Sequence, residues 1–541
     1  MKLAFKNFQE FEMRMLSRSF LAVLVCGFSS LPLAAQTDCP ERPAPGAVVQ
    51  DALNLRSANG ALNVDLSMAH SVDAAGYTHF CYRYQTGNKT VEAPTLRVNP
   101  GDTLSLHVTD DISTTGQQSR SAMDMNMSTP GAVCGDSGSP TIGSTNVHFH
   151  GLNIPPVCHQ DDVINTLIQP GTSGFQYTIQ IPTTEPPGLY WYHPHVHGFT
   201  EFQVNGGAAG ALVVEGMEKY RPEVAGLTER VFTIRQQYLV PWVPGPYELT
   251  MNFESAGYIP LPAPLIQMNP GEKQFWRVAN ATIQDFLPLQ VWFNGVPQQL
   301  QVIALDGYPL AQPRMESTIL IPPAGRAEFI VQAPTSSSTS AQFMALNYST
   351  GPTGNPDLQT ELGTIQINTT AAAKTPAPPA TPAKAASTTS LKFSGLANLT
   401  PTGQRKIYFS EEFGGTNGPI QFYITVDGQK QKVFEPSEKP VITTNVGAVE
   451  DWTIENRALE THAFHIHQIH FTLLEVNGIA VPNQDLRDTI EIPYWSGHGP
   501  YPSVKVRMDF RDPTIAGTFV FHCHILLHED LGMMHKIQVN P

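Results

Sequence analysis

Short runs in which apolar and polar positions alternate recur along most of the chain, separated by turns rich in glycine, proline and asparagine, while long stretches with apolar residues at helical spacing are scarce. Alternation sends successive side chains to opposite faces of a strand, so these runs predict sheets with one buried face. Three of the runs begin alike. Asn99-Pro100-Gly101-Asp102 leads into a strand ending Leu106-His107-Val108, Asn269-Pro270-Gly271-Glu272 into one ending Trp276-Arg277-Val278, and Asn445-Val446-Gly447-Ala448 into one ending Trp452-Thr453-Ile454. A turn-forming Asn-x-Gly that launches an alternating strand at a constant offset, about 170 residues apart, predicts three similar all-β sandwich domains. Their expected spans are 48–216, 217–370 and 391–541. Residues 371–390, rich in Ala, Pro, Thr and Lys without apolar periodicity, are expected to form an extended linker.

Composition narrows the class. The chain has 541 residues, 41% of them apolar and 15% charged, with a formal net charge of −15, which speaks against nucleic acid as a partner. Residues 1–35 read as an export signal: Lys2, Lys6, Arg14 and Arg18 precede an apolar stretch from Phe20 to Leu33 and the small residues Ala34 and Ala35. The expected location is therefore secreted or periplasmic, with no membrane span once the signal is removed. Of six cysteines, Cys26 leaves with the signal, and Cys39, Cys81, Cys134 and Cys158 cluster in the first third. In an exported chain they predict two disulfides whose pairing stays open. Cys523 is left over.

The histidines account for it. Eighteen scattered histidines would give roughly 0.6 His-x-His pairs by chance, and the chain has five: His148/His150, His193/His195, His195/His197, His465/His467 and His522/His524. Residues two apart on a strand share a face, so each pair presents two imidazoles side by side, a geometry suited to metal ligation. No histidine occurs between Gly198 and Thr461. The segment Gly188-Leu189-Tyr190-Trp191-Tyr192-His193-Pro194-His195 matches Gly517-Thr518-Phe519-Val520-Phe521-His522-Cys523-His524 in its glycine, aromatics and histidines, so equivalent strands of the outer domains carry ligands. In the middle domain the positions equivalent to His465 and His467 are Leu289 and Val291. Two pairs from each outer domain could meet at a pseudo-symmetric interface and hold three metals. Cys523, between two histidines of one face, must point to the other, where a thiolate, imidazoles such as His528 and His462, and the thioether of Met533 would make a blue-copper site.

His148-Phe149-His150-Gly151, Tyr192-His193-Pro194-His195, His462-Ala463-Phe464-His465-Ile466-His467 and His522-Cys523-His524-Ile525-Leu526-Leu527-His528 resemble the four copper motifs of the multicopper oxidases, in family order. The resemblance implies three cupredoxin-like Greek-key domains and four coppers per chain. It implies a type 1 copper on His462, Cys523 and His528 with Met533 axial, a type 2 copper on His148 and His465, and two type 3 coppers on His150, His193, His524 and on His195, His467, His522. His197 falls outside this set and is expected behind the ligands; His70, His79, His107, His159, His470, His498 and His535 are expected to be ordinary core or surface residues. The implied reaction is one-electron oxidation of a reductant coupled to reduction of dioxygen to water. That consumes protons, and by resemblance the acids that supply them are Asp162, with Asp161 as the neighbouring alternative, and Glu529.

The reductant is less legible. A laccase-like oxidase of phenols and aromatic amines is the first expectation, a metallo-oxidase of Cu(I) or Fe(II) the second, and a copper-sequestering protein the third. Cuprous oxidases of this family carry Asp and Met four and two residues before the first histidine of the third motif, where this chain has Ala458 and Glu460. Met123-Asp124-Met125-Asn126-Met127 is the one methionine cluster and reads as a surface loop. Gln468 stands where a glycine is common, and Leu526 replaces an acid found in some iron oxidases.

Overall fold

The structure, a computed structural model, describes residues 39–72, 78–112, 134–135, 138–237, 248–257, 261–336, 338–368, 390–413 and 420–541. The export segment, Met123–Met127 and all of the linker but Ser390 lie outside the described residues.

The three repeat strands recur in one structural context. Thr103–Asp110, Lys273–Ala281 and Ala448–Asn456 each pair in parallel with an earlier strand of their own unit: Ala61–Val72, Thr228–Gln237 and Gly403–Phe413 respectively. The turns before them work the same way in the first two copies, where the carboxylates of Asp102 and Glu272 accept from the backbone N–H of Asn99 and Asn269, both at 2.7 Å. Ala448 lacks that acceptor.

Each unit is two sheets around an apolar core. In the first, the strands Asn54–Arg56, Thr95–Val98, Gly210–Val214, Gly188–His193 and His148–His150 lie side by side in that order, facing a second five-stranded sheet. Seven- and six-stranded sheets make the middle unit. The third has a five-stranded sheet ordered Ile442–Asn445, Met534–Asn540, Gly517–Cys523, His462–Ile466 and Thr489–Ile492. Neighbours far apart in sequence require the chain to cross over the sandwich, as in a Greek key. The packing between sheets is apolar, with Trp276 in the middle core and Trp452 in the last, both fully buried. Leu289 and Val291 sit in the middle core, so the positions that carry imidazoles in the outer units serve packing here.

The two disulfides left open by the sequence are Cys39–Cys81 and Cys134–Cys158. Near the start of the first unit, Val49 N–H donates to Leu265 O at 2.9 Å, so residues 48–49 join the edge of a middle-unit sheet. Among the described residues no helix is long and apolar enough to cross a membrane.

Candidate metal centre

The strand His148–His150 pairs antiparallel with Gly188–His193, and His462–Ile466 pairs in the same way with Gly517–Cys523. These four strands, with the residues just past their ends, bring eight histidines together between the first and third units, all buried. One ligand atom from each of His150, His193 and His524, and likewise from each of His195, His467 and His522, lies within 4.8 Å of the others in its group. His148 and His465 join His150 in a third such group. The Nε2 atoms of His195 and His467 lie 3.4 and 3.2 Å from His522 Nε2.

The imidazoles are held from behind. His148 Nδ1 contacts Asp161 Oδ1 at 2.9 Å, His193 Nδ1 the carbonyl of Pro194 at 2.8 Å, and His465 Nδ1 the carbonyl of Asp488 at 2.9 Å. Their Nε2 atoms are buried and have no hydrogen-bond partner. A buried imidazole nitrogen left bare on one side while its other nitrogen is anchored is the pattern of a metal ligand with an outer-shell partner. Burial first, with repulsion from neighbouring imidazoles, holds His148, His150, His467 and His524 well below the ordinary range, His193 to about 3 and His195 to about 4. They are therefore neutral near pH 7, the form that binds metal.

On the opposite face of the same strand, Cys523 Sγ lies 3.6 Å from His462 Nδ1 and 4.0 Å from His528 Nδ1. Met533 is buried in the same core, and its carbonyl accepts from Cys523 N–H at 3.0 Å. Burial pushes the Cys523 thiol far above its usual range, so a thiolate here needs a cation to form. The donor sets thus fit copper at both places: soft sulfur with imidazole at one, imidazole alone at the other. Three stretches, residues 142–219, 227–370 and 414–541, match models of multicopper oxidase domains and together cover more than half of the chain. The chain belongs to the multicopper oxidase family.

Two relatives and one solved structure illustrate the likeness. Multicopper oxidase mco of Staphylococcus haemolyticus is 26% identical over 410 residues, covering 73% of this chain and 77% of its own. Multicopper oxidase LPR1 homolog 1 of Oryza sativa is 23% identical over 545 residues, covering 86% and 85%. A Campylobacter jejuni multicopper oxidase, described as a metallo-oxidase, superposes with a TM-score of 0.65 at 21% identity over 92% of this chain and 96% of its own. The fold is that of cupredoxin-type multicopper oxidases, and the protein is a copper oxidoreductase that uses dioxygen.

Within this multicopper oxidase the acids sort by direction. Asp161, not the expected Asp162, faces the histidines. It holds His148 and accepts from Phe149 N–H at 3.0 Å and Gln468 Nε2 at 2.6 Å. Asp162 turns the other way, accepting from Asn165 Nδ2 at 2.9 Å. Burial pushes Asp161 up to about 7. Gln468 has a φ of 59°, which explains why glycine suits the position, and its bond to Asp161 offsets the strain. Glu529 is fully buried, with Oε2 3.1 Å from His522 Nδ1 and Oε1 3.6 Å from His195 Nε2. Burial would raise its pKa, but His195 and His522 hold it below the usual carboxylate range. His197 is absent from every metal-sized group and packs edge-on against Phe434.

Several residues at the centre carried no sequence signal. Trp191 stacks on His193 at 4.2 Å. Asp488 lies 3.5 Å from His150 and 3.7 Å from His470, and forms two hydrogen bonds with Arg326 of the middle unit. His470, expected to be an ordinary core residue, thus stands one step behind the cluster. At the Cys523 site the outer edges of both imidazoles meet acids: His462 Nε2 lies 3.4 Å from Glu411 Oε1 and His528 Nε2 lies 3.7 Å from Glu460 Oε2. Burial, then the Glu411 carboxylate, pushes Glu460 up to about 8.

Proposed function

We propose that this multicopper oxidase takes single electrons from a small cationic reductant, with Fe(II) preferred over Cu(I), and reduces dioxygen to water at a three-copper cluster. His462, Cys523, His528 and Met533 would hold the electron-entry copper. His148 and His465 would hold the type 2 copper, and His150, His193, His524 and His195, His467, His522 the type 3 pair, four coppers in all. When bound, copper supplies one-electron acceptance at the cysteine site and four-electron reduction of dioxygen at the other. The chain's own residues orient the imidazoles, exclude bulk water by burial, and keep Glu529 within proton-transfer reach of His522. Four Fe(II) ions give up one electron each, and one dioxygen with four protons becomes two waters.

The observation that carries the choice of donor is the pair of carboxylates on the imidazole edges. Glu411, with its side chain 3% exposed and Oε1 buried against His462, and Glu460, 13% exposed, offer oxygen ligands where an electron must enter, and a bound cation would favour their ionised forms. Oxygen ligands suit a hard cation, whereas Cu(I) favours thioethers. A second reading, laccase-like oxidation of phenols and aromatic amines, is favoured by apolar side chains at the surface here: Leu527 beside His528, and Phe413 with Ile420 on the hairpin that carries Phe422 onto the His528 ring. An exported location accompanies either reading, supported by the two disulfides.

Steady-state oxygen uptake with Fe(II), Cu(I) and hydroquinone, on the parent and Glu460→Gln, separates the readings. The variant should lose about tenfold or more in kcat/KM for Fe(II) and stay within about threefold for hydroquinone. Equal loss for both donors, or a parent that oxidises hydroquinone far better than Fe(II), would favour the laccase-like reading.

A further inference from the structure

Domain 2 contributes no histidine, yet one of its loops lies over the electron-entry site. Tyr348 and Asp357 exchange backbone hydrogen bonds at 3.0 Å and close the loop at its base, while Thr350 Oγ1 donates to Asn355 O at 2.6 Å inside it. Behind the base, Phe286 stacks on Tyr348 at 5.0 Å and its N–H donates to Asp357 Oδ2 at 2.9 Å. The loop is therefore anchored rather than free.

Its inner face rests on the residues that precede His462. Thr461 N–H donates to Thr350 O at 2.6 Å, and Thr353 Oγ1 lies 3.5 Å from Glu411 Oε2. Two glycines make the approach close. At Gly351, with a φ of 112°, a Cβ would stand 2.3 Å from Leu459 O, and at Gly354 one would stand 2.9 Å from Glu460 Cγ. The outer face, Pro352, Asn355 and Pro356, is exposed, as is Thr353 at the rim. Water thus lies on one side of the loop, and Glu411 and Glu460 lie on the other. The flat face of His528 is already taken by Phe422, stacked at 4.0 Å, so an aromatic donor cannot stack on that side of the ring.

We infer that the loop Thr350–Asp357 of domain 2 is a fixed cover that selects donors by size at the Glu411/Glu460 edge of the electron-entry site. The inference rests on the reading that electrons enter at that edge. A bare cation or a single small ring reaches the carboxylates around the cover; a bulky donor is held off by its thickness, and electron transfer slows with the added distance. The cover and the two carboxylates act on different properties, one on size and the other on charge.

Two neutral donors of different size test the cover without involving charge: hydroquinone and syringaldazine. Excising Gly351–Gly354, so that Thr350 joins Asn355, should raise kcat/KM for syringaldazine about tenfold or more and leave that for hydroquinone within about threefold. A double substitution, Pro352→Gly with Thr353→Gly, loosens the loop at its natural length, should move the same ratio in the same direction, and serves if the excision does not fold. Blue absorbance and copper content identify the variants with an intact site. An unchanged syringaldazine-to-hydroquinone ratio in a variant that keeps its blue colour overturns the cover. Failure of the cationic reading shows itself instead in Glu460→Gln, which compares a cation with a neutral donor, both small enough to pass the cover.

Discussion

Asp161 and Asp162 are neighbours in the chain and opposites in space, and the difference is one of hydrogen bonding. Asp161 is tied to His148, Phe149 and Gln468, and Asp162 to Asn165. Asp161→Asn should therefore lower copper retention or turnover by about 10- to 100-fold, as loss of an outer-shell partner typically does, whereas Asp162→Asn should stay within about threefold. Copper analysis and oxygen uptake on the pair decide it, and equal losses would remove the distinction. Away from the metals, Asp110 shows how burial acts on stability. Burial pushes its carboxyl up to about 8, while Ile112 N–H donates to its Oδ1 at 3.0 Å. An unfolded aspartate ionises near pH ~4, so between there and pH 8 the unfolded state binds fewer protons and stability falls as pH rises. Asp110→Asn keeps an acceptor for Ile112 and removes the ionisation. Its Tm should gain on that of the parent as pH is raised from 5 to 8, and a gap that does not change with pH would mean the carboxyl is already ionised in the fold.

One strand, Gly517–Cys523, serves both sites because alternation sends neighbours to opposite faces. His522 joins the eight-histidine group on one side, and Cys523 meets His462 and His528 on the other. Cys523→Ser removes the soft thiolate without disturbing the cluster side, so the variant should be colourless, keep about three coppers and fail to oxidise donors. Loss of all copper would contradict the separation of faces, and retained turnover would take Cys523 off the electron path. The short helix Leu526–Asp530 that follows does comparable work: it carries His528 to one site and Glu529 to the other.

At the scale of the molecule, the cluster depends on how three units meet. Arg326 of the middle unit is fully buried, donates to Leu189 O of the first unit at 3.1 Å and pairs through both terminal nitrogens with Asp488 of the third, at 2.7 and 2.6 Å. Asp488 in turn contacts His150 and anchors His465 through its carbonyl. Arg326→Met leaves that carboxylate buried without its partner, a change that typically costs about 3–5 kcal/mol. The expected result is a clear drop in Tm together with copper loss from the cluster, and Arg326→Lys should recover part of each. A variant with the parent's Tm would make the pair incidental.

Much of this was legible in one dimension. The three-fold Asn-x-Gly turn and alternating strand, the paired histidines and the lone Cys523 follow from local rules of turn chemistry and a two-residue period, which act over a few neighbours and so survive in the sequence. The partners of those groups act across the fold and leave no such trace. Asp161 rather than Asp162, Asp488 and Arg326 behind His150, Glu411 beside His462, the loop from Thr350 to Asp357 and the pairing of the four cysteines are each set by which elements pack against one another. Residues as far apart in the chain as His150 and Asp488 meet there because burying the apolar faces of three sandwiches brings them together, and only the tertiary structure decides which.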